Sequence, residues 1–270
     1  MLPLLQSLQN LSRKLFTIQD QLDVLRCRID LDAAVADSFA EDRASEDYQV
    51  VYTEREPLVS VCIGTYNRAK LLTERTLPSI LSQDYPRFEV IVVGDACTDD
   101  TETRIRAIGD ARVRFVNLPE RGRYPLDSRL RWMVAGTVPF NHALGLARGA
   151  LITHLDDDDE YVAGRLGKLV KFLQETRSDL IWHPFWFEPA PGKWKLNPAR
   201  RFALGSVTTS SVLYHRWFAR IPWDLEAYRM REPGDWNRFR KLNYLGASLM
   251  RYPEPLLRHF REQNQRPTPA

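Results

Sequence analysis

Five acidic side chains stand in a row at Asp156, Asp157, Asp158, Asp159 and Glu160. Adjacent exposed carboxylates repel by about 1 kcal/mol in water, and by more where solvent is partly excluded. Such a run either faces bulk water, as a loop or a first helical turn, or holds something positive. Hard divalent cations such as Mn2+ or Mg2+ take oxygen ligands, few of them from protein, leaving the rest of the shell to water and phosphate. An Asp-x-Asp pair, Asp156 and Asp158, suits that role. Two further carboxylates could carry chemistry. Asp95 follows the apolar run FEVIVVG, and Asp235 opens an apparent helix, GDWNRFRKL. Each also has a plain structural use, as a helix cap or turn residue. Arg121, Arg123, Arg129 and Arg131 crowd one short stretch, and guanidinium groups bind phosphate oxygens through paired hydrogen bonds.

Placing these groups together requires strands that end where the acids begin. From Pro57 the chain alternates in that way. LVSVCIG reads as a strand, Ala69 to Ser82 as a helix, FEVIVVG as a second strand, then a helix that Thr98 or Asp99 would cap, and RVRFVNL as a third strand. A basic loop over 119–138 precedes a helix from Phe140 to Arg148, stopped by Gly149, and a buried strand from Ala150 to Leu155. This βαβαβ order predicts a mostly parallel, right-handed nucleotide-binding half. Ligands bind open α/β sheets beyond the carboxyl ends of the strands, which is where Asp95 and the acidic run fall. After residue 178 come Trp182, Phe185, Trp186, Phe187 and Trp194; at least half are expected in the core, although sugar clefts also use aromatic faces.

A length of 270 residues suits one large domain, and a net charge of +3 gives no bulk signal for nucleic acid. Cys27, Cys62 and Cys97 are odd in number and too widely spaced for a metal site, which suits a reducing compartment. No apolar run approaches the roughly 20 residues of a membrane span, and no secretion signal is evident. A cytoplasmic location is expected, with peripheral contact at the inner membrane face left open. Leu4, Leu8, Leu11, Leu15, Ile18, Leu22, Leu25 and Ile29 form a heptad seam. Residues 1–31 therefore read as an amphipathic, coiled-coil-like helix, expected to make a homo-oligomer through residues 4–29. The alternative is one helix packed on its own domain. Residues 32–56 read as an acidic linker, and 262–270 as a disordered tail.

Four segments together resemble a known family. VSVCIGTYNR (59–68), EVIVVGDACTDDT (89–101), FNHALGLARGALITHLDDDDEY (140–161) and EPGDWNRFRKL (232–242) are similar to the inverting family-2 glycosyltransferases of the GT-A fold. The resemblance implies a GT-A domain over 57–261: a Rossmann-like nucleotide-binding half with a mixed central sheet. It implies transfer of a sugar from a nucleotide-diphosphate donor, a UDP-sugar first of all, to a hydroxyl acceptor, with Mn2+ or Mg2+. By that analogy Asp158 is the direct metal ligand, and Asp156 and Asp157 serve ribose or metal-bound water. Asp95 accepts a hydrogen bond from the base beside Thr65 and Tyr66, with Arg68 in the same segment. Arg131 represents the loop arginines at the diphosphate, Asp235 is the general base, and His259 is a candidate addition to the metal shell. Arg240 would bind phosphate or pair with an acid, while Asp159 and Glu160 would start the next helix. The chain departs from the pattern at Gly64, Gly94 and Gly234, where Pro, Asp and Glu are common. A nucleotidyltransferase and a non-catalytic nucleotide- or sugar-binding protein are the alternatives.

Overall fold

The computed structural model describes residue 15 and residues 18–261. The expectations placed on Leu4, Leu8 and Leu11, and on the tail 262–270, lie outside the described residues. The centre is a seven-stranded mixed sheet. Its strands are β1 (Val59–Thr65), β2 (Phe88–Gly94), β3 (Val113–Asn117), β4 (Leu151–His154), β6 (Leu180–Trp182), β9 (Val212–His215) and β10 (Leu249–Arg251), in the order β10-β6-β9-β4-β1-β2-β3. β4, β1, β2 and β3 run parallel, and β9 lies antiparallel between β4 and β6. All of β2 and nearly all of β1 are buried, as their continuous apolar runs require of strands covered on both faces. A second sheet joins β5 (Glu160–Tyr161), β11 (Leu257–His259), β7 (Phe185–Ala190) and β8 (Lys193–Asn197).

Described helices are α1 (18–30), α2 (Ala33–Ala44), α3 (Glu46–Gln49), α4 (Ala69–Leu71), α5 (Leu77–Leu81), α6 (Thr101–Ile108), α7 (Ser128–Val134), α8 (Thr137–Leu146), α9 (Arg165–Thr176) and α10 (Gly234–Tyr244). A π turn at Leu72–Thr76 joins α4 to α5, where the sequence reads as one continuous helix. Three local expectations change. α6 starts after Asp100, and Asp99 instead accepts from the Thr101 amide at 3.2 Å. The basic loop contains α7, because Asp127 caps it by accepting from Arg129 N and Leu130 N. Gly149 is not a helix stop, since α8 ends at Leu146. A Cβ on Gly149 would lie 2.6 Å from Ser60 N and 2.7 Å from Leu58 O, so glycine is what lets the chain enter β4 against β1.

Residues 32–56 are no linker. Asp32 caps α2 through the Ala34 amide, and Phe39 packs against Trp217 and Phe218. Tyr48 and Tyr52 each donate their hydroxyl to Asp179 Oδ1 at 2.9 Å, and Arg43 Nε donates to the same carboxylate. A few aromatic anchors dock this segment. They are too sparse to make a periodic apolar face, and the acids between them dominate its composition.

The helix α1 is docked as well, but through its polar face. Cys27 and Asp23 are buried, Arg26 Nη1 donates to Glu232 Oε1 at 2.6 Å, and Asp30 pairs with Arg240 and Lys241 of α10. Arg240 thus pairs with acids, Asp30 and Glu232, and is buried far from any phosphate role. Leu15, Ile18, Leu22, Leu25 and Ile29, the described part of the heptad seam, all remain exposed, Ile29 by 84%.

Candidate active site

The parallel strands β1, β2 and β4 end on one edge of the sheet and carry three groups to it: Thr65, Asp95 and, just beyond β4, the acidic run. A cleft of about 920 Å3 opens there. Its walls include Thr65, Tyr66, Arg68, Asp95, Arg131 and Asp235, together with Asp156, Asp157 and Asp158, so every site residue expected from the sequence borders one cavity.

Charge in the acidic run is managed locally. Arg68 Nη1 donates to Asp157 Oδ1 at 3.0 Å and to Asp158 Oδ2 at 3.1 Å, and Thr65 Oγ1 donates to Asp157 Oδ2 at 2.7 Å. From the π turn, Arg75 Nη1 donates to the Asp158 carbonyl at 2.9 Å and Thr76 Oγ1 to the Asp159 carbonyl at 3.0 Å. The wider turn brings both side chains onto the acidic loop, the kind of use π segments often have at functional sites.

Asp159 does not start a helix. It is fully buried, accepting from His259 Nδ1 at 2.8 Å and from the Phe260 amide at 3.0 Å, and Glu160 goes on to pair in β5 with β11. With Nδ1 donating, the neutral His259 ring carries its lone pair on Nε2, the tautomer control usual for a ligating histidine. Ligand atoms of Asp156, Asp159 and His259 lie within 4.8 Å of one another. That group does not include Asp158, expected as the direct ligand, whose carboxylate pairs with Arg68. Asp156 takes a hydrogen bond from Ser210 Oγ at 3.2 Å, and burial with the neighbouring carboxylates pushes its carboxyl up to about 8.

Asp235 lies across the same cleft. It is inside the first turn of α10, whose cap position belongs to Pro233, so it is not the N-cap. Its Oδ1 accepts from the Trp236 amide at 2.7 Å, and burial pushes its carboxyl up to about 6.

Asp95, Tyr66 and Arg121, around the place expected for the base, touch one another. Asp95 is buried, accepts from the Gly122 amide at 2.9 Å and faces Arg121 Nε at 3.8 Å. Arg121 also lies over the Tyr66 ring, 3.6 Å from its centroid. Arg131, the loop arginine chosen from sequence, stands on the cleft wall and donates to the Leu126 carbonyl at 3.3 Å. A side chain would be crowded at each of the three glycine departures, most of all at Gly94. A Cβ at Gly94 would meet Asn117 Oδ1 at 2.5 Å, one at Gly64 would meet Pro139 Cγ at 3.0 Å, and one at Gly234 the Met133 carbonyl at 3.3 Å. Of the aromatic group, Trp182 and Phe185 are buried, and Trp194 meets Phe260 edge-on at 4.9 Å.

Sequence reasoning missed Arg75, Ser210 and the role of Asp159, and did not separate Arg121 from its neighbours. No spacing rule reports a π turn, and Ser210 reaches Asp156 from 54 residues away.

The chain is 29% identical over 136 residues to the putative colanic acid biosynthesis glycosyl transferase WcaA of Escherichia coli K12, covering 50% of this chain and 43% of that one. It is 31% identical over 121 residues to the GalNAc(5)-diNAcBac-PP-undecaprenol beta-1,3-glucosyltransferase of Campylobacter jejuni, covering 44% and 35%. The chain thus spans less than half the length of these curated relatives. Among solved structures, S. aureus TarS 1-349 in complex with UDP-GlcNAc superposes with a TM-score of 0.60 at 20% identity, over 77% of this chain and 59% of that one. The mannosyltransferase PcManGT of Pyrobaculum calidifontis, in complex with GDP-Man and Mn2+, gives a TM-score of 0.53 at 19% identity, over 86% and 69%. The fold is therefore GT-A, as the mixed central sheet leads one to expect. The sequence profile described as Glycosyl transferase family 2 matches residues 60–125 and 137–230, more than half of the chain, and the chain belongs to that family.

Proposed function

We propose that this cleft transfers a sugar from a nucleoside-diphosphate donor, a UDP-sugar first of all, to a hydroxyl acceptor with inversion at the anomeric carbon. The observation that carries the reading is the convergence of Asp95, the acidic run and Asp235 on one cleft. Two solved neighbours are complexes with UDP-GlcNAc and with GDP-Man, which supports a nucleotide-sugar donor. Asp95 and Tyr66 would hold the base, with Arg121 closing over the ring, and Arg131 would meet the diphosphate. A carboxyl near 6 is ionised at neutral pH yet basic enough to take the acceptor's proton, which is the role given to Asp235. The acceptor oxygen would then attack from the face opposite the departing diphosphate.

The residues present fit a divalent ion. Asp156, Asp159 and His259 offer two carboxylates and an imidazole, a donor set suited to Mn2+ and acceptable to Mg2+. The Asp-x-Asp pair Asp156 and Asp158 is the alternative ligand set, sharing Asp156 with this one. When bound, the ion would supply positive charge for the leaving diphosphate. The test is release of UDP from a panel of UDP-sugars with Mn2+ and a range of hydroxyl acceptors. Acceptor-dependent release is expected, and nucleotide binding with no turnover for any pair would leave a binding protein.

The exposed seam supports a second reading. We infer that Leu22, Leu25 and their heptad partners pair two copies of the chain. Since α1 is held by its other face, Leu22→Glu with Leu25→Glu should halve the mass in sedimentation and leave thermal unfolding of the domain unchanged. A monomeric wild-type protein would sink the idea.

A further inference from the structure

Beside the mouth of the cleft lies a surface that overlaps the cleft wall only at its edge. Leu126 is 95% exposed and Trp132 is 45% exposed, two large apolar side chains at either end of α7. Arg123 and Arg129 are exposed around them, and neither guanidinium forms an ion pair among the described residues. The 3₁₀ turn Ala227–Met230 packs against α7 and brings Arg231 to the same region, while its Arg229 is paired with Glu226. Acids are scarce in the loop itself. Residues 119–136 contain Glu120 and Asp127 alone, and Asp127 is committed to capping α7, accepting at 2.9 Å and 3.0 Å from Arg129 N and Leu130 N.

Positive charge by itself would suit any polyanion. An exposed leucine and tryptophan gain nothing from phosphates in water, so the apolar pair narrows the choice. An anionic bilayer supplies both halves of the match: a negative surface for arginine, and an interfacial layer in which Leu and Trp leave water. The geometry points to residues 123–132 as a docking surface for an anionic lipid bilayer. Attachment through this surface is peripheral, and no helix among the described residues is long and apolar enough to cross a membrane. Arg131 and Trp132 belong to both the docking segment and the cleft wall, so docking sets the cleft mouth against the headgroups. The surface does not depend on which donor the cleft takes.

Co-sedimentation of the full chain with vesicles tests this. Vesicles of phosphatidylcholine and phosphatidylglycerol in equal parts should carry the protein down, phosphatidylcholine alone should not, and added salt should release most of it. Arg123→Gln with Arg129→Gln should weaken binding by roughly fivefold for each arginine removed. Leu126→Asp should weaken it at least as much. None of these residues lines the cleft, so thermal unfolding and the stabilisation by UDP should match the wild type. No sedimentation with the mixed vesicles would overturn the proposal. So would binding that the three substitutions leave unchanged. Retention on heparin that survives Leu126→Asp, without vesicle binding, would assign the surface to a polyanion instead.

Discussion

Asp235→Asn is expected to lower turnover by roughly 10² to 10⁴-fold, the usual worth of a positioned general base, while nucleotide affinity stays near wild type. Asn keeps the size of the side chain and an oxygen for the Trp236 amide, so a merely structural Asp235 would tolerate it. Two further readouts separate the roles. In the wild type, kcat/KM should rise with pH and level off above about 6, because the base must be ionised to act. Stability should move the opposite way. The folded carboxyl is raised above its unfolded value of about 4, so ionisation costs the native state stability. That cost is complete above pH about 6 and absent below pH about 4. At pH 7 the Asn variant should therefore be more stable by about 1–3 kcal/mol, with the gap closing as pH falls toward 4. Transfer at the wild-type rate by the Asn protein would remove Asp235 from the mechanism.

Removing divalent metal should have the second large effect. UDP at a hundred times its dissociation constant should stabilise the wild type with Mn2+ by roughly 2.7 kcal/mol, and a chelator should erase that gain. If Asp156 and Asp158 hold the ion, Asp158→Asn should bind UDP weakly and show no response to metal. His259→Ala separates the two ligand sets. If the ion sits with Asp156, Asp159 and His259, the histidine variant should lose most of the metal response; if Asp156 and Asp158 suffice, it should keep it. A wild type indifferent to chelator in both binding and turnover would reduce the acidic run to a hydrogen-bonded turn.

The parts of this molecule that were legible in the sequence share a physical cause. β2 has the bounds of its run FEVIVVG, Phe88–Gly94, because a strand covered on both faces is mostly apolar, its one acid, Glu89, being paired with Arg148. Asp95 and the acidic run could be placed because a parallel strand delivers the residue after it to the ligand edge. What escaped depends on three-dimensional contact. The segment 32–56 is held by Phe39, Tyr48 and Tyr52 reaching particular partners, which leaves no period to detect. Whether Asp158 or Asp159 faces inward is settled by Arg68, Thr76 and His259, which come from three separate parts of the chain. The heptad was plain, but its spacing says only that one face is apolar. That the opposite face carries Cys27, Arg26 and Asp30 into the protein depends on α10 being there to meet it.

That docking has a practical meaning for anyone trimming the protein. Family similarity begins at residue 60, which invites a shortened catalytic fragment starting just before β1. Such a cut would delete Asp30 and Arg26, leaving Arg240 and Glu232 to each other, and would strip Arg43, Tyr48 and Tyr52 from the buried Asp179. Removing a partner from a buried ion pair costs about 3–5 kcal/mol, a large part of what a domain of this size has to lose. Arg240 also stands on the helix that carries Asp235. The smallest unit worth expressing therefore reaches back through α1, well ahead of the point where kinship to the family can be read.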